Sequence, residues 1–396
     1  MASDTVMRGL RMIESGWLSD NNTAALASAL DVGERHLNRL FQQELGTTPK
    51  SVARWTRARL AKGLLTSSAM TMSDVAFHAG YGSLSRFNQE IRDVFKQTPT
   101  ALRKAKEAQA GECVRLTLSI RGPYDFDWVF AYLHKRALSG LEEVRGEAGC
   151  WQFRRRFTDG EGRHRWVEVH QQESALRVVL PLTDVPLHNL LTRIRRVFDL
   201  HADGETIHEF LLKDALLGAV VRAAPGLRVP GAWDGFETAV RAVLGQQVSV
   251  ERGTVLANKM VTSYGAGCFP SPVQLSDKQI GELGMPGRRG QAIALLAQEV
   301  RDGIISFDDS SHFDEIQKQL QAIAGIGPWT ANYIRMRVLK DPDAFPDNDW
   351  VVLKVLQCTA AKARARSEAW QPWRAYALMY LWYARSLSVQ PKTLKE

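Results

Sequence analysis

The stretch from Leu320 to Lys354 limits the possible fold more than any other part of the chain. Its pattern predicts a helix, a tight turn containing Gly325 and Gly327, a second helix, and a proline-containing turn that brings carboxylates to a third helix. Glycine adopts backbone angles that are closed to other residues, and the free amides at a helix N-terminus favour a phosphate. The stretch therefore predicts a phosphate-binding turn beside a carboxylate, which indicates chemistry on nucleic acid.

Composition agrees with that hypothesis without deciding it. The chain of 396 residues is long enough for roughly two to four domains, and its formal net charge of +8 favours a polyanionic partner. The four cysteines are scattered singly, so neither a zinc site nor a disulfide framework is expected. No apolar run is long enough to span a bilayer, and the N-terminus lacks the apolar core of a signal peptide. We therefore expect a cytoplasmic protein without a membrane partner.

The first 105 residues contain an internal repeat. Thr23–Pro49 is echoed by Met72–Pro99, and each copy predicts a short helix, a glycine-containing turn and a second amphipathic helix. Apolar residues at helical spacing predict a long helix between the copies. The block resembles the paired helix-turn-helix DNA-binding domain of AraC-type regulators, including the one in the bacterial Ada protein. The resemblance rests on RHLNRLFQQELGTTP together with AFHAGYGSLSRFNQ.

This resemblance implies that the second helix of each copy enters the major groove of DNA. The residues then expected near base edges or phosphates are Arg35, His36, Arg39, Ser85, Arg86 and Gln89. The alternative is that several of them are solvated surface charges. Lys96 departs from the pattern, because it stands where Gly46 ends the matching helix of the first copy. Ada-type proteins carry a zinc-bound cysteine domain ahead of this block, and the absence of a preceding four-cysteine cluster gives no support to methyl-phosphotriester sensing.

Beyond this block the hydrophobic pattern changes from helical to alternating. The polar segment Arg103–Glu112 predicts a linker. The strands predicted by alternation are Val114–Ile120, Trp151–Phe157, His164–His170 and Leu176–Leu182. The predicted helices of this part begin near Tyr124 and cover Val185–Leu200, and from Asp203 onwards every long segment is predicted to be helical, including one helix over Val351–Ala363.

The predicted fold class is therefore multidomain. We expect an all-α domain with paired helix-turn-helix motifs at residues 1–105, a small α+β domain with an antiparallel sheet at 113–200, and a third, all-α domain at 201–396.

A second resemblance covers residues of about 113–396, which look like the alkylation-repair DNA glycosylases of the AlkA type. The blocks that carry it are PYDFDWVFAYL, APGLRVPGAWDGFETAVRAVLGQQVSV, LQAIAGIGPWTANYIRMR, FPDNDW and WQPWRAYALMYLWY. The resemblance implies a helix-hairpin-helix glycosylase fold, in which a catalytic aspartate follows the hairpin. That aspartate maps onto Asp349, and Asp347 is the near competitor.

The resemblance also implies an aromatic pocket, in which an extruded cationic base contacts electron-rich ring faces. Trp382 and Tyr333 are expected to line it, followed by Trp350, Trp329 and Tyr132, whereas the alternative for each is a core position. The expected DNA contacts of the hairpin and the wedge turn are Gly325, Ile326, Gly327, Thr330, Gln246 and Gln247. Gln247 stands at the wedge position, where an apolar residue is expected.

Further features narrow the chemistry. In bifunctional relatives a hairpin lysine forms a Schiff base with the sugar, and Trp329 occupies that position here, so no lyase activity is expected. Without a C-terminal four-cysteine cluster no iron–sulfur centre is expected either, and no cofactor is required. By resemblance the hairpin can hold a monovalent cation through the main-chain carbonyls of Gln321, Ile323 and Ile326.

Together the resemblances imply a monofunctional glycosylase that flips alkylated bases of the 3-methyladenine type out of double-stranded DNA and excises them hydrolytically. The attached module implies promoter DNA and RNA polymerase as further partners. We expect a monomer associated with the nucleoid. The alternative is a transcriptional regulator of the alkylation response, whose glycosylase half serves as a lesion sensor.

Overall fold

The computed structural model describes residues 4–103, 112–278, 280–307 and 313–388. Most of the predicted linker at Arg103–Glu112 lies outside the described residues. In the described part, no helix is both long and apolar enough to cross a bilayer.

The N-terminal block consists of helices. Their bounds are α1 Asp4–Glu14, α2 Trp17–Asp20, α3 Thr23–Ala29, α4 Glu34–Leu45, α5 Pro49–Ser67, α6 Met72–His78, α7 Leu84–Phe95 and α8 Pro99–Arg103. The predicted repeat is confirmed, because α3 and α4 correspond to α6 and α7, and α5 is the long helix between the copies. The side chains of Asn22 and Ser83 accept hydrogen bonds from backbone N–H groups in the first turns of α3 and α7. These capping residues therefore fix where the two helices begin.

The second helix of each copy ends in the same way. Gly46 follows α4 with φ +66°, and Lys96 follows α7 with φ +55°, both in the left-handed region. A lysine in this conformation costs about 1 kcal/mol relative to a glycine. The replacement of glycine by lysine therefore leaves the helix end intact and adds local backbone strain.

A five-stranded antiparallel sheet follows. Its strands are β1 Cys113–Ser119, β2 Glu142–Arg145, β3 Gln152–Thr158, β4 His164–Gln172 and β5 Ala175–Pro181, in the order β1-β5-β4-β3-β2. Helices α9, Phe126–His134, and α10, Leu187–Val197, accompany the sheet. The four predicted strands are confirmed. The short β2 was not predicted, because only Val144 of its four residues is buried and no alternation is visible.

The remainder is helical, as predicted. The helices are α11 Gly204–Leu212, α12 Gly218–Ala223, α13 Gly235–Leu244, α14 Val250–Tyr264, α15 Pro272–Leu275, α16 Gly287–Arg301, α17 Phe313–Ala322, α18 Pro328–Arg337, α19 Trp350–Leu356, α20 Ala360–Ser367 and α21 Arg374–Ser388, with short 3₁₀ turns at Ile280–Leu283 and Glu368–Trp370. The single helix predicted over Val351–Ala363 is wrong. Gln357 turns into the left-handed region at φ +50°, and the Thr359 side chain caps a new helix.

The N-terminal block and the sheet share one apolar core. It includes Ala61 and Leu64 from α5 together with Val114 and Leu118 from β1. Helix α5 lies so close to the sheet that a Cβ atom at Gly63 would stand 3.3 Å from Cδ2 of Leu116. Burial of this shared apolar surface joins the two parts into one packed unit.

The N-terminal block also reaches the last helical part. The guanidinium carbons of Arg8 and Arg11 in α1 lie 5.6 and 5.8 Å from the ring centroid of Phe313 at the start of α17. Glu14 at the end of α1 forms an ion pair with His201. The DNA-binding motifs and the hairpin therefore belong to parts of the chain that contact each other.

Candidate active site and nucleic-acid interfaces

Asp349 is the N-terminal cap of α19. Its Oδ1 accepts hydrogen bonds from the backbone amides of Val351 at 2.9 Å and Val352 at 3.1 Å. The residue is only 6% exposed. A helix N-terminus presents free amides and a partial positive charge, so the sequence around Asp349 builds a place where a carboxylate can be buried.

Two tryptophans complete the surroundings of this carboxylate. The indole Nε1 of Trp329 in α18 donates to Oδ2 of Asp349 at 2.8 Å, and Nε1 of Trp382 in α21 donates to Oδ1 at 3.2 Å. Four N–H donors from three helices thus orient one carboxylate and complement its negative charge. Of the predicted pocket residues, Trp329 and Trp382 are those that the structure brings to Asp349.

Asp347 has a different environment. Its carboxylate forms an ion pair with Arg364. That pairing occupies Asp347 with a surface arginine, whereas Asp349 faces the indole rings. The two competing aspartates thus have different surroundings, and Asp349 stays the predicted catalytic residue.

An aromatic wall extends away from Asp349. The ring of Trp329 stacks on that of Tyr333 with centroids 5.2 Å apart and planes at 17°. This spacing is that of two rings in direct contact, so a base cannot lie between them and instead has their exposed surfaces available. The hydroxyl of Tyr333 lies 3.1 Å from that of Tyr132, which belongs to α9.

Two arginines surround the tyrosine pair. Nη1 of Arg337 donates to both phenol oxygens, at 2.7 Å in the case of Tyr333. The guanidinium of Arg136 lies over the ring of Tyr132, 3.6 Å from its centroid. Burial by itself raises the pKa of Tyr333, but the charges of Arg337 and Arg136 outweigh it and lower that pKa to about 8. Burial raises the pKa of Tyr132 to about 12.

Trp350 does not join this wall. It begins α19 with 60% of its surface exposed, and the guanidinium of Arg385 lies 5.6 Å from its ring centroid. Trp350 is therefore not in the core, and its contact with an extruded base stays a prediction. Because the first turn of α19 points Asp349 inwards, the residue after it points towards solvent.

The hairpin between α17 and α18 has the predicted shape. Gly325 has φ +97°, which favours glycine, whereas Gly327 has ordinary negative φ and directly precedes α18 without a side-chain cap. A Cβ atom at Gly327 would meet nothing within 4 Å, so its backbone can be approached closely from outside. Ile326 is 3% exposed and belongs to the apolar core, so its side chain anchors the turn rather than reaching DNA.

Gln246 and Thr330 brace the hairpin. Nε2 of Gln246 donates to the carbonyl of Gly325 at 2.9 Å and to Oγ1 of Thr330 at 3.0 Å. Thr330 is 3% exposed, and the Gln246 carbonyl accepts from Arg289 at 2.7 Å. The Thr330 side chain and the side-chain nitrogen of Gln246 are therefore both used within the protein. The predicted contact of these two residues with DNA stays a prediction.

Gln247 is an exposed residue of the turn between α13 and α14. Its backbone has φ +55°. Because Gln246 is fixed to the hairpin on one side and Ser249 caps α14 on the other, the position of Gln247 relative to the hairpin is set by the fold.

The predicted cation site stays a prediction. The carbonyl of Ile323 accepts the amide of Ile326 at 3.0 Å, and both lie with Gln321 around the end of α17. Among the described residues, no group of three or more His, Cys, Asp or Glu side chains has a geometry that could hold a metal ion.

The six predicted reading residues are all exposed. They lie on α4 as Arg35, His36 and Arg39, and on α7 as Ser85, Arg86 and Gln89. The opposite faces of these helices are buried through Leu37 and Phe41, and through Phe87 and Ile91. Arg86 forms an ion pair with Glu90 at 3.1 Å, and Arg39 contacts Nδ1 of His36 at 2.8 Å, so these two arginines are partly occupied within their own helices.

Arg337 and Arg136 were not identified from the sequence. A signal existed for Arg337, because a residue four positions after Tyr333 lies on the same face of a helix. Arg136 lies four positions after Tyr132, just beyond the end of α9, and has the same spacing.

Comparisons with known proteins agree with both parts of the chain. A helix-turn-helix domain family matches residues 26–105, and the AlkA N-terminal domain family matches residues 115–234. A protein of Mycobacterium tuberculosis named "probable bifunctional transcriptional activator/DNA repair enzyme AlkA" is 36% identical over 96% of this chain and 80% of the relative. The DNA-3-methyladenine glycosylase 2 of Escherichia coli is 32% identical over 67% of this chain and 96% of the relative.

A solved structure shows the same fold over the larger part. The 3-methyladenine DNA glycosylase from Archaeoglobus fulgidus superposes with a TM-score of 0.57 and 20% identity, covering 69% of this chain and all of its own. At that identity the likeness concerns the fold alone.

Proposed function

This chain belongs to the AlkA family, and from that premise we propose that it is a monofunctional DNA-3-methyladenine glycosylase which hydrolyses the glycosidic bond of alkylated bases in double-stranded DNA. The observation that carries the proposal is the buried carboxylate of Asp349, held by two indole N–H groups and a helix N-terminus beside an aromatic wall.

Asp349 acts through its charge. Cleavage of a glycosidic bond passes through a transition state with oxocarbenium character, which a fixed carboxylate stabilises. Because four N–H donors engage the oxygens of Asp349, the carboxylate is preorganised and requires no reorientation during the reaction. Water then attacks the sugar carbon, and no protein nucleophile is needed.

The aromatic wall selects the base. A base must leave the duplex to reach a buried carboxylate, and the exposed faces of Trp329, Tyr333 and Trp382 offer it a π surface. For a cationic alkylated base each such contact contributes about 0.5–2 kcal/mol. Tyr132 closes the far end of the wall through its hydroxyl contact with Tyr333.

The hairpin holds the DNA backbone. The uncapped start of α18 after Gly327 offers outward amides to a phosphate, and the open space at Gly327 permits its approach. Gln247 then enters the duplex where the base has left. The cation site at the carbonyls of Gln321, Ile323 and Ile326 is part of the same phosphate-binding hairpin.

The paired helix-turn-helix motifs give the protein a second DNA-binding surface. We propose that α4 and α7 enter successive major grooves through their exposed residues, and that the chain is divided at 1–105, 113–200 and 201–396. Regulation of transcription is the second function, with promoter DNA and RNA polymerase as partners and a monomer as the acting species. It is favoured by two reading faces that stay exposed while the block packs on the sheet.

Base release from methylated DNA tests the enzymatic function. We expect the purified protein to release methylated purines, and Asp349→Asn to be at least ~100-fold slower, since a preorganised charge is lost. Asp347→Asn is the matched control and should retain most activity, because Asp347 is paired with Arg364. An inactive wild type, or full release by Asp349→Asn, would contradict the proposal.

The regulatory function needs a separate readout. Reporter transcription in cells that produce the Asp349→Asn protein should persist if regulation does not depend on base excision. Loss of the response in that variant would show that excision itself is the signal. Borohydride trapping of a protein–DNA adduct would contradict the monofunctional assignment.

A further inference from the structure

The five-stranded sheet has one face in the core and one face outside it. Burial alternates along β4, where Val167 and Val169 are buried and share an apolar core with α9 and α10. The outer face of the sheet carries the residues that alternate with these, such as Trp166 and Glu168. Among the described residues of the sheet, none on the outer face belongs to that core. The outer face is therefore a surface that the activity proposed above does not use.

Five arginines project from the outer face. Residues that pair across neighbouring antiparallel strands share a face, so the register of the sheet assigns their side. The arginines are Arg115 of β1, Arg145 of β2, Arg154 and Arg156 of β3, and Arg177 of β5. Two glutamates, Glu143 and Glu168, lie among them. Positive charge therefore predominates on this face.

The two glutamates neutralise only part of this charge. Glu143 pairs with Arg145 at 3.0 Å and with Arg154 at 3.2 Å. Glu168 pairs with Arg154 at 3.1 Å. Among the described residues, no carboxylate lies within ion-pair distance of the remaining guanidiniums, which are those of Arg115, Arg156 and Arg177. Three cations without counter-ions on one face attract a polyanion.

Trp166 adds an aromatic ring to this basic face. It lies directly opposite Arg156 in the pairing of β3 with β4. The guanidinium carbons of Arg154 and Arg156 lie 4.8 and 5.9 Å from its ring centroid. The indole is partly exposed and is not part of the core. Indole rings and guanidinium planes are the groups on which unpaired nucleobases stack.

On these grounds we propose that the outer face of the sheet binds single-stranded nucleic acid. The guanidiniums of Arg115, Arg156 and Arg177 contact the phosphates, and bases stack at Trp166. A duplex fits this surface less well, because its base faces are hidden inside the stack. Five strands side by side also span roughly 19 Å, which is wider than a major groove of about 12 Å.

The test uses the full chain and three labelled oligomers of about 12 nucleotides, a length within the range of single-strand binding sites. One is thymidine DNA, one is uridine RNA, and one is a DNA backbone of the same charge that carries no bases. Fluorescence anisotropy at several salt concentrations gives their dissociation constants. We expect the protein to bind thymidine DNA more tightly than the oligomer without bases. The comparison of thymidine DNA with uridine RNA shows which of the two nucleic acids is preferred.

Substitutions separate the stacking from the charge. Trp166→Leu should weaken the binding of thymidine DNA at least about fivefold and leave the oligomer without bases unaffected, because only stacking is lost. Arg177→Gln and Arg115→Gln should each weaken the binding of both oligomers. Each of these two variants should also reduce the slope of log K against log salt by about 0.7, the value for one phosphate contact on a single strand.

Matched controls lie elsewhere on the surface. Trp55→Leu removes a tryptophan that is 55% exposed on α5, and Arg222→Gln removes an exposed arginine on α12. Both should bind the three oligomers as the wild type does. Thermal midpoints show whether each variant is folded. Since Arg115 and Arg177 are exposed, their variants keep the test decisive even if Trp166→Leu does not fold.

Several results would overturn the proposal. One is that the wild type binds thymidine DNA no more tightly than the oligomer without bases. Another is that a folded Trp166→Leu protein, or both arginine variants, bind thymidine DNA as the wild type does. If the arginine variants weaken an undamaged duplex as much as the single strand, the face is only a general basic surface. Base release from methylated duplex is measured separately, so the proposed glycosylase function does not depend on these outcomes.

Discussion

The two regions proposed to contact double-stranded DNA are constructed in opposite ways. At Asp349 the functional group is 6% exposed and depends on donors from α18, α19 and α21. The residues proposed to read DNA lie on the exposed faces of α4 and α7. In each of these helices the opposite face packs on the core. The first region is a product of tertiary packing, and the second is a product of helical periodicity. Changes near Asp349 should therefore propagate to its neighbours, whereas changes on a reading face should stay local.

Removal of one indole N–H tests that dependence most strongly. Trp329→Phe keeps an aromatic ring on Tyr333 but takes away the hydrogen bond to Oδ2 of Asp349. A hydrogen bond to a charged group contributes about 1.5–3 kcal/mol, so the rate of base release should fall roughly 10–100-fold. Trp55→Phe, at a tryptophan that is 55% exposed on α5, is the matched control for single-turnover kinetics. Equal rates for Trp329→Phe and the wild type would show that the carboxylate does not need this neighbour.

A reading-face substitution should show the opposite behaviour. Arg39→Ala on α4 should weaken binding to undamaged duplex about tenfold and reduce the slope of log K against log salt by about 1. Base release from a saturated short lesion duplex should not change. Anisotropy titrations at several salt concentrations give the slope, with the exposed Arg222 on α12 as the arginine-to-alanine control. A loss of base release in Arg39→Ala would mean that the two regions are coupled.

The two copies of the repeat can be compared at the residues that end their second helices, Gly46 after α4 and Lys96 after α7. Lys96→Gly relieves the left-handed backbone strain after α7 and should raise the free energy of unfolding by about 1 kcal/mol. Gly46→Ala introduces such strain after α4 and should lower it by a similar amount. Denaturant titration measures both. If Lys96→Gly destabilises the protein, the lysine side chain makes contacts that exceed the strain.

The smallest effect is expected at the ion pair between Glu14 of α1 and His201, where the N-terminal block contacts a later part of the chain. Burial raises the pKa of Glu14, but the hydrogen bond and charge of His201, together with Arg195, lower it overall. A lowered folded pKa adds stability above the ordinary glutamate pKa that disappears as pH falls through the folded value. Glu14→Gln should therefore lower the free energy of unfolding at neutral pH by less than about 1 kcal/mol for this partly exposed pair, which is measured as a small drop in the thermal midpoint. The difference from the wild type should shrink in acid, and a difference that grows there would refute the assignment.

Local signals in the sequence were sufficient for much of the fold. The repeat, the hairpin and the four long strands follow from periodicity and capping residues, as Asn22, Ser83 and Gly325 illustrate. The errors lie where local signals are weak. Strand β2 has only four residues, so its pattern is short. The helix break at Gln357 requires a left-handed backbone conformation, and no glycine stands there to indicate it.

The site was harder to predict, because burial decides what a residue does there. Resemblance pointed to Asp349 and to Trp329, Tyr333 and Trp382, and the structure brings these together. It could not tell that Trp350 is 60% exposed, nor that Arg337 lies between two phenols. These outcomes depend on how α9, α18 and α19 pack, which no spacing along the chain encodes.

The contact of α5 with β1 has a consequence for how such a chain can be divided. Without its first hundred residues, the sheet would present to water the apolar side chains that Ala61 and Leu64 now cover. A shortened chain of this kind would expose an apolar surface and be prone to self-association. The N-terminal block is therefore part of the scaffold that covers the sheet, and a shortened chain would need polar residues on the face of the sheet that the block now covers.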